Sequence, residues 1–206
     1  MTSPSLWIVW RHFLSRRQTR ELRMIGAYLC CSENWPAPVK TKFHLRLYPD
    51  ALLRQKALPV ADVDGRARGL MKGLAAIMYA REGIGLAAPQ VGVLQRVIIA
   101  DIGEGLISLA NPEILYQDGE ALLLEGCLSL PNVAVNVSRK TSIIVRGMNT
   151  KAKEVEWELT GLLARVIQHE IDHLNGVLIV DHGPIVDQHC LESSSLIVEY
   201  QRKHKL

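Results

Sequence analysis

One short run of the sequence, residues 168–173 (QHEIDH), carries the side chains with the clearest chemistry. His169 and His173 are four residues apart, so on an α-helix they share one face and can converge on one metal ion. Glu170 lies about 100° further round such a helix, where it can reach a water bound to that ion.

The alternative for this pair is a solvated, charged helix face. The neighbouring residues leave little room for one, because they are mostly apolar: Leu162, Leu163, Val166, Ile167, Ile171 and Leu174. Burying two histidines and two acids without a ligand would be costly, so we predict a metal site on a buried helix.

A catalytic site of this type has a third protein ligand and a position open to water. Downstream, Ile179 stands where a metzincin would have its third histidine. The residues around Glu192 do not resemble the helix that supplies a glutamate in thermolysin-like enzymes. The search therefore moves upstream, to Cys127 in residues 125–131 (EGCLSLP).

A Cys127 thiolate beside two imidazoles is a suitable ligand set for zinc or ferrous iron. Two other roles are open to this cysteine: a small buried hydrophobe, or a nucleophile activated by His169. The nucleophile would leave His173 and Glu170 without a role, whereas ligation uses all four residues, so ligation is favoured.

A third candidate is the glycine-rich run 83–92 (GIGLAAPQVG). Its opening matches a dinucleotide-binding fingerprint, but the run follows a predicted helix, and Pro89 and Gly92 prevent the phosphate-binding helix that should come next. A backbone free of bulky side chains can instead accept an extended peptide by strand addition. Gln90 then supplies an amide donor at the end of the run.

The periodicity of the chain predicts the elements that hold these residues. A first helix is predicted over residues 62–81, stopped by Gly83. The metal-binding helix is predicted over 162–174, with Thr160 as N-cap and Asn175-Gly176 as its end. Strands are predicted at 42–47, 97–100, 133–137, 141–146 and 155–159, and a last helix at 186–203. Strands grouped between helices indicate an α+β fold.

The net charge of +3 over 206 residues is unevenly distributed. Residues 1–39 hold five arginines against two glutamates, which accounts for all of the excess. The rest is neutral, so we expect no direct binding to nucleic acid or to an anionic membrane. No apolar run approaches the ~20 residues of a membrane span, and four cysteines without dense spacing indicate a reducing compartment.

These patterns divide the chain into a basic N-terminal extension (1–39), a catalytic domain (40–181) and a C-terminal tail or helix (182–206). The first 24 residues of the extension are rich in arginine, contain serine and are poor in acidic residues, as organelle transit peptides are. The other interpretations are a poorly ordered extension, or a start codon assigned too early, with Met24 as a later candidate.

Together and in this order, the runs 83–90, 125–129 and 168–173 resemble the three motifs of the peptide deformylase family. The resemblance covers residues 40–181. It implies an α+β fold in which antiparallel sheets surround the metal-bearing helix, with an N-terminal and a C-terminal helix. It also implies hydrolysis of the N-formyl group from N-formylmethionine at the start of newly made polypeptides.

The resemblance further implies a role for each motif residue. Cys127, His169 and His173 would hold one divalent ion, which is ferrous in many members and replaceable by zinc, nickel or cobalt. Glu170 would be the general base and then the acid, assisted by the Gln90 amide and the Leu128 backbone N–H. The remaining residues would bind the peptide (Ile84, Gly85 and Gly126) or support the ligands (Glu125, paired with Arg139).

The substrates that the resemblance implies are nascent chains, so we expect the enzyme to act near the ribosome. The expected location is the cytoplasm, or a mitochondrion or plastid if residues 1–39 are a transit peptide. Two competing functions stay open. One is another zinc peptidase that uses Glu192 as its third ligand, and the other is a non-catalytic metal-bound module.

Overall fold

Two antiparallel sheets and two α-helices form the part of the chain that the computed structural model describes, residues 42–186. The helices are α1 (Gly65–Ala80) and α2 (Gly161–Leu174). The strands are β1 (Gly85–Ala87), β2 (Val97–Ala100), β3 (Ile107–Asp118), β4 (Ala121–Cys127), β5 (Leu130–Arg139), β6 (Ser142–Met148) and β7 (Glu154–Thr160). The predicted α+β class is confirmed.

The larger sheet has the strand order β1-β2-β3-β6-β7, and the smaller sheet pairs β4 with β5. Both helices pack on β1 and β2. Val97 and Ile99 of β2 join the apolar cluster around α1, while Ile98 and Ala100 join the cluster around α2. This end of the sheet lies between two helices, which explains why all of β2 is apolar.

Helix α1 begins three residues later than the sequence predicts, because the Asp64 carboxylate caps it. The carboxylate accepts hydrogen bonds from the backbone N–H groups of Arg66 and Ala67 at 2.8 and 2.9 Å. Such a bond satisfies donors that have no partner inside the helix. Leu74 and Met78 are fully buried on its inner face.

Helix α2 begins directly after β7, at Gly161, with Thr160 as its N-cap as predicted. The Thr160 side chain makes no capping hydrogen bond. Asn175 ends the helix, and Gly176 follows with a positive φ of 75°, the conformation for which glycine is favoured. Neither α1 nor α2 has the length and apolarity that a helix needs to cross a membrane.

The prediction of a strand at residues 42–47 is wrong. The segment and the residue after it make single backbone hydrogen bonds to two different partners, Arg46 N–H to the Gln90 carbonyl and Tyr48 N–H to the Ser129 carbonyl, so no ladder forms. The chain here therefore links the backbone at Gln90 to the backbone at Ser129.

Strands β1, β3 and β4 were not predicted, because their burial does not follow a regular alternation. In β3, Asn111 has a positive φ of 51°, and the register against β6 shifts twice. In β4, the neighbours Leu122 and Leu123 are both exposed, by 62% and 47%. The extension 1–39 and residues 187–203 of the predicted last helix lie outside the described residues.

Candidate metal centre and active site

Helix α2 turns the three chemical side chains of the QHEIDH run toward the interior. His169, Glu170 and His173 are all buried. The two imidazole rings lie edge to face, with centroids 5.0 Å apart. The helical spacing predicted from the sequence thus brings both histidines to one site.

Cys127 reaches the same site from the end of β4. The register between β4 and β5 shifts at this point, so that Cys127 pairs with Leu130 and the chain turns sharply there. Its Sγ lies 3.2 Å from Nε2 of His173. The sulfur and one nitrogen of each histidine all lie within 4.8 Å of one another.

This geometry fits a divalent metal ion. Metal–ligand bonds of about 2.0 to 2.3 Å in a tetrahedral site place ligand atoms roughly 3.3 to 3.7 Å apart, and the cluster is already close to that size. Nδ1 of His169 is engaged by Glu125 at 3.0 Å, which leaves Nε2 for the ion. One thiolate and two imidazoles suit zinc or ferrous iron. The alternative ligand Glu192 lies outside the described residues.

The charges around the cluster prepare it for a cation. Burial lowers the pKa of His173 well below its ordinary value, so this side chain is neutral and has a lone pair available. Burial also disfavours the charged form of His169, but hydrogen bonds with Cys127 and Glu125 outweigh it and raise the His169 pKa well above its ordinary value. Binding of a metal ion to Cys127 and to Nε2 of His169 would therefore release a proton from the His169 ring.

Glu170 is the candidate acid–base group of the cluster. Its Oε2 is buried and has no hydrogen-bond partner among the described residues. Burial raises the pKa of this carboxyl group to about 7, because the charged form is poorly solvated. The positive charges of His169 and Arg139 oppose this rise without cancelling it. A carboxyl group in this state can both accept and release a proton near neutral pH.

A cleft opens onto these groups. Its walls bring together most of the residues that the sequence singled out: Gly83, Ile84, Gly85, Gln90, Gly126, Cys127, Leu128, His169 and Glu170. His173, Glu125 and Arg139 lie behind the wall and are buried.

The Gln90 side chain is held with its amide nitrogen toward the cysteine. Its Oε1 accepts a hydrogen bond from the Ala87 N–H at 2.8 Å, so Nε2 points the other way. That nitrogen donates to Ser129 Oγ at 3.1 Å and lies 3.5 Å from Cys127 Sγ. Ser129, which sequence reasoning missed, therefore helps to orient a donor that faces the cleft.

The predicted pairing of Glu125 with Arg139 is confirmed as a contact. Nε and Nη2 of Arg139 donate to the two carboxylate oxygens of Glu125 at 2.8 and 3.0 Å. Two hydrogen-bonding partners of this pair were missed. Arg139 Nη1 also donates to Asp172 at 2.6 Å, and Arg165 donates to Glu125 at 2.7 Å. An arginine in the apolar first half of α2 (GLLARVI) was the available signal for Arg165.

The pairing affects the metal ligand because Glu125 touches His169. Burial raises the pKa of Glu125, but hydrogen bonds with His169 and Arg139 outweigh it and hold the pKa far below its usual range. The carboxylate therefore stays ionised and accepts a hydrogen bond from the Nδ1–H group of His169.

Close packing at Gly85 leads to a first testable prediction. A Cβ at this position would collide with the Glu170 carboxylate and lie 2.7 Å from Val166 Cγ1. We expect Gly85→Ala to displace Glu170, to lower kcat/KM at least tenfold and to reduce stability by about 1–3 kcal/mol. Kinetic assays and thermal melts would measure both effects.

Gly69→Ala on α1 is the matched control, since a Cβ there meets nothing within 4 Å. We expect it to keep full activity and to gain up to about 1 kcal/mol in stability from helix propensity. If Gly85→Ala behaved like Gly69→Ala, close packing against Glu170 would have no functional role.

Comparison with known proteins agrees with this geometry. The family model for polypeptide deformylase matches residues 43–189. A peptide deformylase of Thermodesulfovibrio yellowstonii is 47% identical over 142 residues, which cover 66% of this chain and 86% of that protein. One from Caldicellulosiruptor bescii is 48% identical over 137 residues, covering 66% and 82%.

Solved structures show the same likeness. The crystal structure of peptide deformylase from Thermotoga maritima superposes with a TM-score of 0.68 at 43% identity, covering 70% of this chain and 99% of that one. A peptide deformylase from Synechococcus elongatus in complex with actinonin has a TM-score of 0.69 at 34% identity, covering 81% and 91%.

Proposed function

This chain belongs to the polypeptide deformylase family, and from that premise we propose which of its residues carry out the reaction. The enzyme is a metal-dependent hydrolase that removes the N-formyl group from newly made polypeptides. One observation supports our assignment above the others. Cys127, His169 and His173 form a compact cluster of ligand atoms, and two of these residues, Cys127 and His169, line one cleft together with Glu170.

We propose that Cys127, His169 and His173 hold a single divalent ion, with ferrous iron as the native metal and zinc, nickel or cobalt as replacements. A divalent ion supplies a water of lowered pKa and polarises the carbonyl under attack. The mixed thiolate and imidazole donors support iron and zinc alike, so the ion must be identified directly. Anaerobic purification followed by metal analysis tests this, and a zinc-only protein would contradict ferrous iron.

Glu170 moves the proton in this scheme. Its unpaired Oε2 accepts a proton from the attacking water as the new C–O bond forms. The same carboxyl group then delivers the proton to the amine nitrogen as the C–N bond breaks, releasing formate and the free peptide amine. Burial keeps the group out of bulk solvent during both steps.

Gln90 and Leu128 stabilise the negative charge that develops on the formyl oxygen. The Gln90 side-chain amide is oriented by Ala87 and Ser129, and Leu128 follows Cys127 directly in the cleft wall. Donors fixed in advance need no reorganisation when charge develops, which is why they lower the barrier.

Loss of the Gln90 donor should therefore slow the reaction. We expect Gln90→Leu to retain metal but to lose about 100-fold or more in kcat, since one such donor supplies ~3 kcal/mol of barrier lowering. Steady-state kinetics and metal content, measured together, would show this.

Gln117→Leu is the matched control, because Gln117 is exposed on β3 and lies outside the cleft. We expect it to retain wild-type kcat. Unchanged turnover in Gln90→Leu would refute the proposed role.

The peptide substrate would bind alongside β1. This strand is at the edge of the larger sheet, so the hydrogen-bonding side away from β2 can accept an added strand. Ile84 and Gly85 line the cleft on this side, and Gly126 at the end of β4 lines the other. We propose that an extended N-formylmethionyl peptide lies between them.

We further propose that residues 40–181 form the catalytic domain, which the family match over 43–189 supports. The extension 1–39 and the tail 182–206 then flank it. The substrate class supports action close to the ribosome, and the charge neutrality of residues 40–206 gives no support for direct binding to nucleic acid. We propose the cytoplasm as the location. N-terminal sequencing of the mature protein tests organelle import, which an intact Met1 would contradict.

The activity itself is tested by formate release from formyl-Met-Ala-Ser. We expect release that depends on a bound divalent ion. Full metal occupancy without formate release would overturn the assignment and favour a non-catalytic metal-bound module.

A further inference from the structure

Arg165 is a buried cation in the first half of α2, one helical turn before His169. Only 4% of its surface is exposed. The reaction scheme above gives it no role. Because a buried charge is tolerated only when it is paired and hydrogen-bonded, the partners of Arg165 indicate what it does.

The first partner is the carboxylate of Glu125. Its Oε1 accepts hydrogen bonds from Arg165 Nη1 at 2.7 Å and from Arg139 Nε at 2.8 Å. Its Oε2 accepts from Arg139 Nη2 and from His169 Nδ1, both at 3.0 Å. A carboxylate has about four acceptor sites, so all are occupied and its orientation is determined. Two arginines thus fix the group that orients a candidate metal ligand.

The second set of partners lies on the smaller sheet. Arg165 Nη1 donates to the carbonyl of Val137 at 2.9 Å, and Nη2 donates to that of Ala121 at 2.5 Å. Val137 belongs to β5, and Ala121 begins β4, the strand that ends at Cys127. Helix α2 packs mainly on the larger sheet. The guanidinium therefore joins the helix that carries the histidines to the strand that carries the cysteine.

We propose that Arg165 is a positioning residue of the metal centre, which fixes the Glu125 carboxylate against His169 and ties α2 to β4. This inference rests on the metal site proposed above. Metal–ligand distances tolerate deviations of only about 0.2 Å. If Arg165 is removed, Oε1 of Glu125 loses a donor, and the hydrogen bonds from α2 to the carbonyls of Val137 and Ala121 are lost. The ligands are then less well ordered before the ion binds, so the affinity falls.

The test measures zinc affinity of the full chain by competition with a chromophoric chelator. We expect Arg165→Met to lower the affinity about 10- to 100-fold, as is usual when a partner of a metal ligand is lost. Arg165→Lys keeps the charge, but its single ammonium lacks the planar fork that spans three acceptors. Its affinity should lie between those of the wild type and Arg165→Met.

A second readout separates positioning from general stability. In the zinc-loaded protein, the NMR resonance of the His169 Nδ1 proton reports its hydrogen bond to Glu125. We expect this proton to move upfield and exchange faster in Arg165→Lys and Arg165→Met. Because the lysine variant keeps the buried charge, it keeps the test valid if the methionine variant does not fold.

Two comparisons complete the experiment. Arg146→Met removes an arginine that pairs with Glu113 at the surface, so it should keep wild-type affinity. In a double-mutant cycle, Arg165→Met should lower the affinity much less in a Glu125→Gln background, since the two residues act together. Fully additive losses would overturn the proposed action through Glu125.

The outcomes for the two proposals are distinct. If wild-type protein does not bind zinc through Cys127, the proposed metal site itself fails. If wild-type protein binds zinc and the folded Arg165 variants bind it equally well, with an unchanged His169 proton, only the role of Arg165 fails.

Discussion

Replacement of Cys127 by alanine is expected to abolish stoichiometric metal binding and, with it, formate release. Sγ of Cys127 is one of three ligand atoms that lie within 4.8 Å of one another, and it is the only one supplied by the smaller sheet. Removing it leaves two imidazoles one helical turn apart, and such a pair holds a divalent ion far more weakly than three ligands do. Metal analysis after gel filtration and the deformylation assay would both record the loss.

This substitution also discriminates between the candidate functions. A zinc peptidase that used Glu192 as its third ligand would keep its metal in Cys127→Ala. A cysteine nucleophile would lose activity in the variant but retain the ion on the histidines. Cys190→Ala is the thiol control, because Cys190 belongs to none of the three motifs, and it should retain both metal and activity. Full metal occupancy in Cys127→Ala would contradict the proposed ligand set.

A Glu170→Gln variant is expected to bind metal as the wild type does and to lose 10²–10⁴-fold in kcat. Glutamine has nearly the same shape as glutamate, so the buried site can accommodate it. It cannot take a proton from water or deliver one to the leaving amine. General acid–base catalysis by one side chain supplies about this factor. Parallel metal analysis and kinetics on the same preparations would test both halves of the expectation.

The control for this variant is Glu113→Gln, which removes a carboxylate from the exposed pair with Arg146 and should leave kcat unchanged. The result also separates an enzyme from a metal-bound module. A structural metal site has no use for a proton-transfer group, so unchanged turnover in Glu170→Gln would falsify the role of Glu170 as base.

Much of the site could be predicted from the sequence because its determinants are local. The four-residue spacing of His169 and His173, with apolar neighbours, predicts two ligands on one buried helix face, and the structure has them there. The end of α2 could be predicted for the same reason, since it depends on Asn175 and Gly176. Such features need only helix geometry and the conformational freedom of one glycine.

Other parts could not be predicted because they depend on contacts between distant segments. Leu122 and Leu123 are apolar and exposed, so β4 has no alternating pattern by which to recognise it. The segment 42–47 has a strand-like mixture of residues, but it and the following Tyr48 make single hydrogen bonds, to Gln90 and Ser129, instead of pairing along a sheet edge. Propensity is a weak guide where tertiary contacts decide the conformation.

The sequence by itself determined the chemistry available to this protein: two histidines and a glutamate on one helix turn, a thiol in a glycine-containing turn, and a neutral catalytic region behind a basic extension. The tertiary structure decided which of these groups meet. It alone shows Cys127 beside His173, and a buried network in which Glu125 is shared by His169, Arg139 and Arg165. The reason is physical: helical periodicity acts over a few residues, whereas pairing buried charges requires the folded chain to bring them within hydrogen-bond distance.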